Sequence, residues 1–257
     1  MRLDVFYNLD LWLVILIMLM ILAAASYIGK LSGRFHRRLK DTDEDSTNFA
    51  PTTILGLMAL VLGFTFSMSV THYENRRNLV IQEANAIGTA YLRADLLPQA
   101  AKEKVKSLLK QYVDLRIEFN NFKADQKSID ELKMKTRMVQ SDIWNTLMPL
   151  TEKYRDPIMA LSVNAMNTVF DSESERTSAM EHRIPELVYI LLYLIGAIGV
   201  GSLGYLEGLR GNKSLFNIFA LSVLFSLVIG LIMDIDRPRR GLIKTDQQAM
   251  IQLKESL

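Results

Sequence analysis

The sequence predicts an all-α membrane protein: four transmembrane helices, with a helical hydrophilic region between spans two and three. Three observations predict it. Apolar residues make up 49% of the 257, yet 23% of the chain is charged, so the two kinds are segregated rather than mixed. The apolar residues collect in runs at 11–28, 54–70, 187–206 and 215–233, each near the length a helix needs to cross a hydrocarbon core of ~30 Å. No segment alternates apolar and polar residues with the period of two that a half-buried strand shows. The expected organisation is a first span with a charged linker (1–52), a long second helix (53–97), a helical hydrophilic region (98–184), spans three and four (185–234) and a tail (235–257).

Residues 1–10 form a short lead, in which Tyr7-Asn8-Leu9-Asp10 suits the interface. The first span carries Trp12 and Tyr27 near its two ends, where interfacial aromatics belong. Ala23-Ala24-Ala25 imitates a signal-peptide cleavage site. Arg2 is the only basic residue before it, and the apolar run is longer than a usual signal core, so a retained span is expected. The linker that follows is basic first and acidic second. It reads as a solvated connection, with a lipid-headgroup contact through Arg34, Arg37, Arg38 and Lys40 as the sharper alternative.

The stretch 53–97 lies between Pro51 and Pro98 and contains no proline. As one helix it would be ~65 Å long at ~1.5 Å per residue, about twice the ~30 Å hydrocarbon core. Its membrane part carries Gly56, Gly63, Thr65, Ser67, Ser69 and Thr71. At helical spacing Leu60, Phe64, Ser67, Thr71, Glu74 and Asn78 fall on one stripe that becomes polar along its length. Two readings stand side by side: small residues for close helix packing, or a pore-lining stripe with a hydrophobic constriction at Leu60 and Phe64.

Beyond Pro98 the pattern stays helical. In 101–123, Val105, Leu108, Leu109, Tyr112, Leu115 and Phe119 recur every three or four residues, an amphipathic helix. Ser128 and Glu131 make a capping box for a helix that runs past Trp144 and Leu147 and that Pro149 is expected to end. Asp156-Pro157 is an N-cap followed by proline at the first helical position. That helix carries Ile158, Leu161, Ala165 and Val169 and continues through the charged stretch 171–183. Pro185 starts the third span, where Ala197/Gly201 and Gly204/Gly208 are small-xxx-small pairs, with Gly196 and Gly199 beside them. The fourth span places Ser222, Ser226 and Gly230 on one face. It ends in Asp234, Asp236, Arg237, Arg239 and Arg240, charges at a membrane boundary that need partners. An inter-helix or inter-subunit clasp is expected there, ahead of an ion-binding role. The tail 242–257 is mildly amphipathic.

Several classes of function drop out. There is no cysteine, so disulfides, thiolate metal sites and cysteine nucleophiles are excluded. His36, His72 and His182 lie far apart with no ligand pattern, so neither metal nor cofactor is expected. No phosphate-cradling glycine loop or nucleophile elbow occurs. Glu83, Arg93 and Asp95 flank a run of small residues and read as packing or ion-pair charges, so an enzyme is not expected. Residues 71–183 hold 17 Lys/Arg against 16 Asp/Glu, a balance that offers nucleic acid no basic face.

Three segments bring a family into view. Residues 62–98 (LGFTFSMSVTHYENRRNLVIQEANAIGTAYLRADLLP), 106–116 (KSLLKQYVDLR) and 234–243 (DIDRPRRGLI) resemble the bacterial bestrophin-like family, also described as a domain of unknown function. The resemblance covers nearly the whole chain from Ile54 onwards, and it distantly links the chain to bestrophin ion channels. It implies a pentamer of four-span subunits with lipid and inorganic ions as partners. Leu62-Gly63-Phe64 and His72-Tyr73-Glu74-Asn75 are similar to the bestrophin neck segment. Leu60 and Phe64 would then form the neck, Ser67 and Thr71 the wettable wall below, and Glu74, Arg76 and Arg77 the charges at the pore mouth. Leu60 stands where animal bestrophins have an aromatic residue. The segment after span four lacks their run of acids, so calcium gating is not expected. The resemblance also implies an inner-membrane protein with both termini and 72–183 in the cytoplasm. Arg76, Arg77, Arg183, Arg237, Arg239, Arg240 and Lys244 agree with that orientation, whereas Lys30, Arg34, Arg37, Arg38, Lys40, Arg210 and Lys213 do not. The alternative function is a non-conducting sensor or scaffold that passes a signal along the long helix.

Overall fold

The computed structural model describes residues 9–39, 49–121, 126–211, 216–239 and 241–257. Arg2, Tyr7, Asn8, Lys40 with the acidic half of the linker, Lys123, Lys213, Leu215 and Arg240 lie outside them. The described residues are helical with no strand: α1 (Leu11–Leu39), α2 (Phe49–Arg93), a 3-10 turn (Ala94–Leu96), α3 (Gln99–Asn121), α4 (Gln126–Lys153), α5 (Pro157–Glu181), α6 (Glu186–Arg210), α7 (Phe216–Asp236) and α8 (Gln248–Ser256). Four helices, α1, α2, α6 and α7, are long and apolar enough to cross a membrane. The chain is an all-α four-span membrane protein.

Helix α2 has 45 residues, or about 67 Å at 1.5 Å each. Pro51 is tolerated because it falls in the first turn, where backbone N–H groups have no intrahelical acceptor. At the far end Pro98 disfavours helical geometry at Leu97, which turns extended (φ −83°, ψ 156°).

Contacts divide the chain into two compact units. One takes the residues up to Thr71 together with Arg183–Arg237. Here the glycines of α1 and α6 let two backbones meet. A Cβ on Gly29 or Gly33 would enter the carbonyl oxygen of Gly201 or Tyr205, and one on Gly204 or Gly208 would enter that of Ser26 or Lys30. Helix α7 packs on α1 through Gly230, where a Cβ would lie 2.7 Å from Ile15. Ser222 and Ser226 are buried and return their hydroxyls to the carbonyls of Ile218 and Ser222, each at 2.8 Å.

The other unit comprises His72–His182 and Pro238–Leu257. Its core sets Val80, Ala84, Ile87 and Ala90 of α2 and Ala94 of the 3-10 turn with Val105, Leu109, Tyr112 and Phe119 of α3, and with Met166 and Val169 of α5. Helix α8 joins through buried Met250, and the Tyr91 hydroxyl donates to the Leu257 carbonyl at 3.0 Å. Asp156 caps α5 by accepting from the Met159 N–H at 2.7 Å, with Pro157 in the first turn.

Two local expectations need correction. Helix α4 starts at Gln126, which puts Ser128 inside its first turn rather than at the cap. It also runs through Pro149 to Lys153, because an exposed proline removes one rung of the ladder without forbidding the next. Tyr154 N–H still bonds the Leu150 carbonyl at 2.8 Å. On α5, Ile158 and Leu161 are exposed while Met159, Ser162 and Met166 are buried beside Ala165 and Val169.

Candidate functional site

The membrane part of α2 sorts its small and hydroxylic residues onto two sides. Thr65 and Ser69 point inward with Met58 and Leu62. Thr65 Oγ1 returns to the Val61 carbonyl at 2.7 Å, and Ser69 Oγ donates to the Ile232 carbonyl of α7 at 2.9 Å. Gly56, Gly63, Ser67 and Thr71 point outward, and a Cβ on Gly56 or Gly63 would meet nothing within 4 Å. Within the chain, then, packing accounts for only the inward set.

The outward set belongs to one long face. At 100° per residue Leu60, Phe64, Ser67, Thr71, Glu74 and Asn78 lie within about 40° of a single line along the helix, and all six are exposed. Leu60 is 55% and Phe64 68% exposed, an unusual cost for large apolar side chains unless lipid or another chain covers them. Beyond Asn78 the exposed line continues through Gln82, Asn85, Thr89 and Leu92. From Leu60 to Asn85 the order along it is apolar, then hydroxylic, then charged and amide. Thr71 Oγ1 is partly satisfied by the Ser67 carbonyl at 2.9 Å, leaving lone pairs outward.

The expected trio of mouth charges does not stay together. Glu74 and Arg77 are exposed, but Arg76 is 2% exposed. Sixteen residues after Leu60, Arg76 is turned by about 160° at helical pitch, so it belongs to the inward side.

At the end of α7, Asp234, Asp236 and Arg237 are all buried. Asp236 Oδ2 accepts from the Ile184 N–H at 2.9 Å, just before α6 begins. Arg239, in the other unit, lies over the Phe119 ring at 4.3 Å and donates to Met180 Sδ at 3.6 Å.

The hydrophilic unit contains an arrangement that periodicity did not predict. Glu83 is fully buried and receives Arg116 Nε at 2.5 Å on one oxygen and Arg176 Nη1 at 2.6 Å on the other. Tyr112 donates to the same carboxylate at 3.3 Å, Arg116 Nη1 reaches Glu173 at 3.3 Å, and Arg176 Nη2 reaches the Gln247 side-chain oxygen at 2.6 Å. Two guanidinium groups and two carboxylates balance, and α2, α3, α5 and the C-terminal segment are tied together. Burial pushes the Tyr112 phenol well above its ordinary range, with the Glu83 charge adding to it. Burial also works against both arginines. Glu83 and Glu173 hold Arg116 above its ordinary value, whereas Arg176, sharing Glu83 and a neutral amide, falls below. Glu83 and both arginines do carry a sequence signal. Each sits on its helix's apolar stripe: Glu83 between Val80 and Ile87, Arg116 between Tyr112 and Phe119, Arg176 seven residues after Val169.

Asp95, flagged with Glu83 and Arg93, instead lies at the surface. Lys102 and Lys106, each 2.7 Å away, hold its carboxyl below the usual range. Arg93 donates to the Leu161 carbonyl at 3.1 Å. Among the described residues no cluster of His, Asp or Glu could hold a metal ion.

The model of the Bestrophin-like domain family matches residues 11–250. Among solved structures, a mutant of a bacterial Bestrophin homolog from Klebsiella pneumoniae aligns with a TM-score of 0.70 at 17% identity, covering 96% of this chain and 97% of that one. A second mutant of a homolog from that organism aligns at 0.66 and 17%, covering 94% and 96%. A chain described as a membrane protein aligns at 0.67 and 18%, with the same coverage. At such identities the likeness shows a shared fold. No curated protein sequence matches.

Proposed function

The chain belongs to the Bestrophin-like family, and from that premise we propose that it is an ion channel built from several copies, five being favoured, with α2 of each copy lining a central pore. The observation that carries this reading is the single outward line on α2. Leu60 and Phe64 make a hydrophobic neck that closes by contact or by dewetting. Ser67 and Thr71 continue as a wettable wall. Glu74 stands at its end and the exposed Arg77 about 60° round the helix from it, so Arg77 biases conduction towards anions only as far as Glu74 allows. In this reading the protein sits in the inner membrane with both termini and residues 72–183 in the cytoplasm.

Purified protein fused into planar bilayers tests it. The expected result is unitary conductance, raised in Leu60→Ala/Phe64→Ala because two neck side chains are cut back. Silence from both proteins, with both still monodisperse oligomers, overturns the reading. The buried Glu83–Arg176–Gln247 link favours a second reading, a non-conducting sensor in which α2 and the C-terminal segment move as one. Subunit number separates the two: a dimer cannot enclose a pore with this helix.

A further inference from the structure

We propose that the end of α1 binds the phosphate of an anionic phospholipid through Arg34 and Arg38. The rotation of this helix end is fixed on the side facing α6. Gly33 abuts the Tyr205 carbonyl, His36 Nδ1 and Tyr205 Oη share a hydrogen bond at 2.8 Å, and the Arg37 guanidinium lies against Gly211. At 100° per residue, fixing positions 33, 36 and 37 inward turns Leu31, Arg34, Phe35 and Arg38 outward, and all four are exposed.

That outward set extends a face that is apolar along the whole span: Leu13, Ile17, Met20, Tyr27, Ile28 and Leu31 are exposed on it. From Trp12 to Leu31 the helix rises about 29 Å, which matches the ~30 Å hydrocarbon core. Arg34 therefore stands one turn beyond the acyl chains and Arg38 two, at the depth of the lipid phosphates. Phe35, 66% exposed between them, supplies an apolar surface at the same level. Among the described residues neither Arg34 nor Arg38 has a carboxylate within ion-pair distance. Lipid-facing arginines at headgroup depth, with no acidic partner among the described residues, are matched by a negatively charged headgroup. A guanidinium fork suits phosphate oxygens better than a point charge does. The inference is independent of whether the protein conducts.

Native mass spectrometry of the purified full chain, titrated with 1-palmitoyl-2-oleoyl phosphatidylglycerol or with the phosphatidylcholine of the same chains, tests the site. The wild type is expected to retain the anionic lipid more tightly. Arg34→Gln/Arg38→Gln is expected to lower that affinity about 25-fold, given roughly fivefold for each of the two interfacial cations, and to leave phosphatidylcholine unchanged. Arg34→Lys/Arg38→Lys keeps most of the affinity and serves if the glutamine variant is not monodisperse. Arg155→Gln, which removes one positive charge at an exposed position of the hydrophilic unit, is expected to behave as wild type. Undiminished anionic-lipid retention by the glutamine variant overturns the proposal. So does displacement of the lipid by millimolar inorganic phosphate, which would mark a free-anion site. A glutamine variant with altered subunit number and unaltered lipid retention also overturns it, and would assign the face to a second copy.

Discussion

Arg176 Nη1 donates to Glu83 Oε2 at 2.6 Å, and neither side chain is exposed to solvent. Because Glu83 also holds Arg116, one carboxylate compensates two buried guanidinium groups. Glu83→Gln leaves Arg176 with neutral partners only and Arg116 with Glu173 alone. A loss of about 3–5 kcal/mol is expected, the usual cost of an uncompensated buried charge. Thermal unfolding in detergent, followed by circular dichroism, measures it. Replacing the set together, Glu83→Leu with Arg116→Met and Arg176→Met, is expected to cost less than the single change, since the one charge left over, Glu173, is 16% exposed and keeps the Thr177 hydroxyl. A larger loss for the triple variant would mean that the ionic set is itself strongly stabilising.

The Tyr112 hydroxyl donates to that carboxylate at 3.3 Å, and burial raises its pKa above the ordinary 10. The folded protein therefore keeps the phenolic proton longer than the unfolded chain. Below pH 10 both states are protonated and this contribution is fully present; as pH rises from 10 towards the folded value, the unfolded chain loses its proton first and stability falls. Tyr112→Phe is expected to cost about 1 kcal/mol at neutral pH and to flatten the decline above pH 10. Unfolding temperatures of the two proteins between pH 8 and 11.5 give the comparison. Parallel curves contradict it.

Two glycines of the membrane helices make opposite predictions. A Cβ on Gly204 would enter the Ser26 carbonyl, whereas one on Gly63 meets nothing within 4 Å. Gly204→Ala must push α1 and α6 apart and is expected to cost about 3 kcal/mol, the upper end for overpacking. Gly63→Ala is expected to be neutral, or to gain up to ~1 kcal/mol from helix propensity. Thermal stability and subunit mass should be read together. A Gly63→Ala protein that loses its assembly would show that copies meet tightly at Gly63, rather than leaving this side of α2 open towards a pore.

The parts of this architecture visible in the sequence are those that one period controls. Four apolar runs, the small-xxx-small pairs of α6 and the Asp156-Pro157 cap each depend on neighbours within a turn or on solvent alone, and each lies where its pattern puts it. The stripe from Leu60 to Asn78 was legible for the same reason. Arg76 was misplaced because adjacent arginines were read as one charge, although neighbours on a helix point 100° apart. Glu83 was read as a packing or ion-pair charge, but its partners Arg116 and Arg176 were missed for a different reason. A charged residue on an apolar stripe looks like an interruption until the opposing helices supply its counter-charge, and those helices are 33 and 93 positions away in sequence. Pro149 misled because, exposed in the last turns of α4, it removes one hydrogen bond while the next, from the Tyr154 N–H to the Leu150 carbonyl, still forms.

Arg76 and Arg77 differ in burial and should separate in function. Arg77 shares the exposed side of α2 with Glu74, while Arg76 is 2% exposed. If the outward face lines a pore, Arg77→Gln removes a charge that permeating ions meet, and a ring of copies multiplies the effect. Under a tenfold salt gradient, the reversal potential of Arg77→Gln is expected to move towards the cation equilibrium value, and that of Glu74→Gln towards the anion value. Arg76→Gln is expected to leave the reversal potential alone and to lower the unfolding temperature, because a buried guanidinium acts through its own chain's packing. A shift in selectivity from Arg76→Gln with unchanged stability would place the pore on the other side of α2, and with it the neck assigned to Leu60 and Phe64.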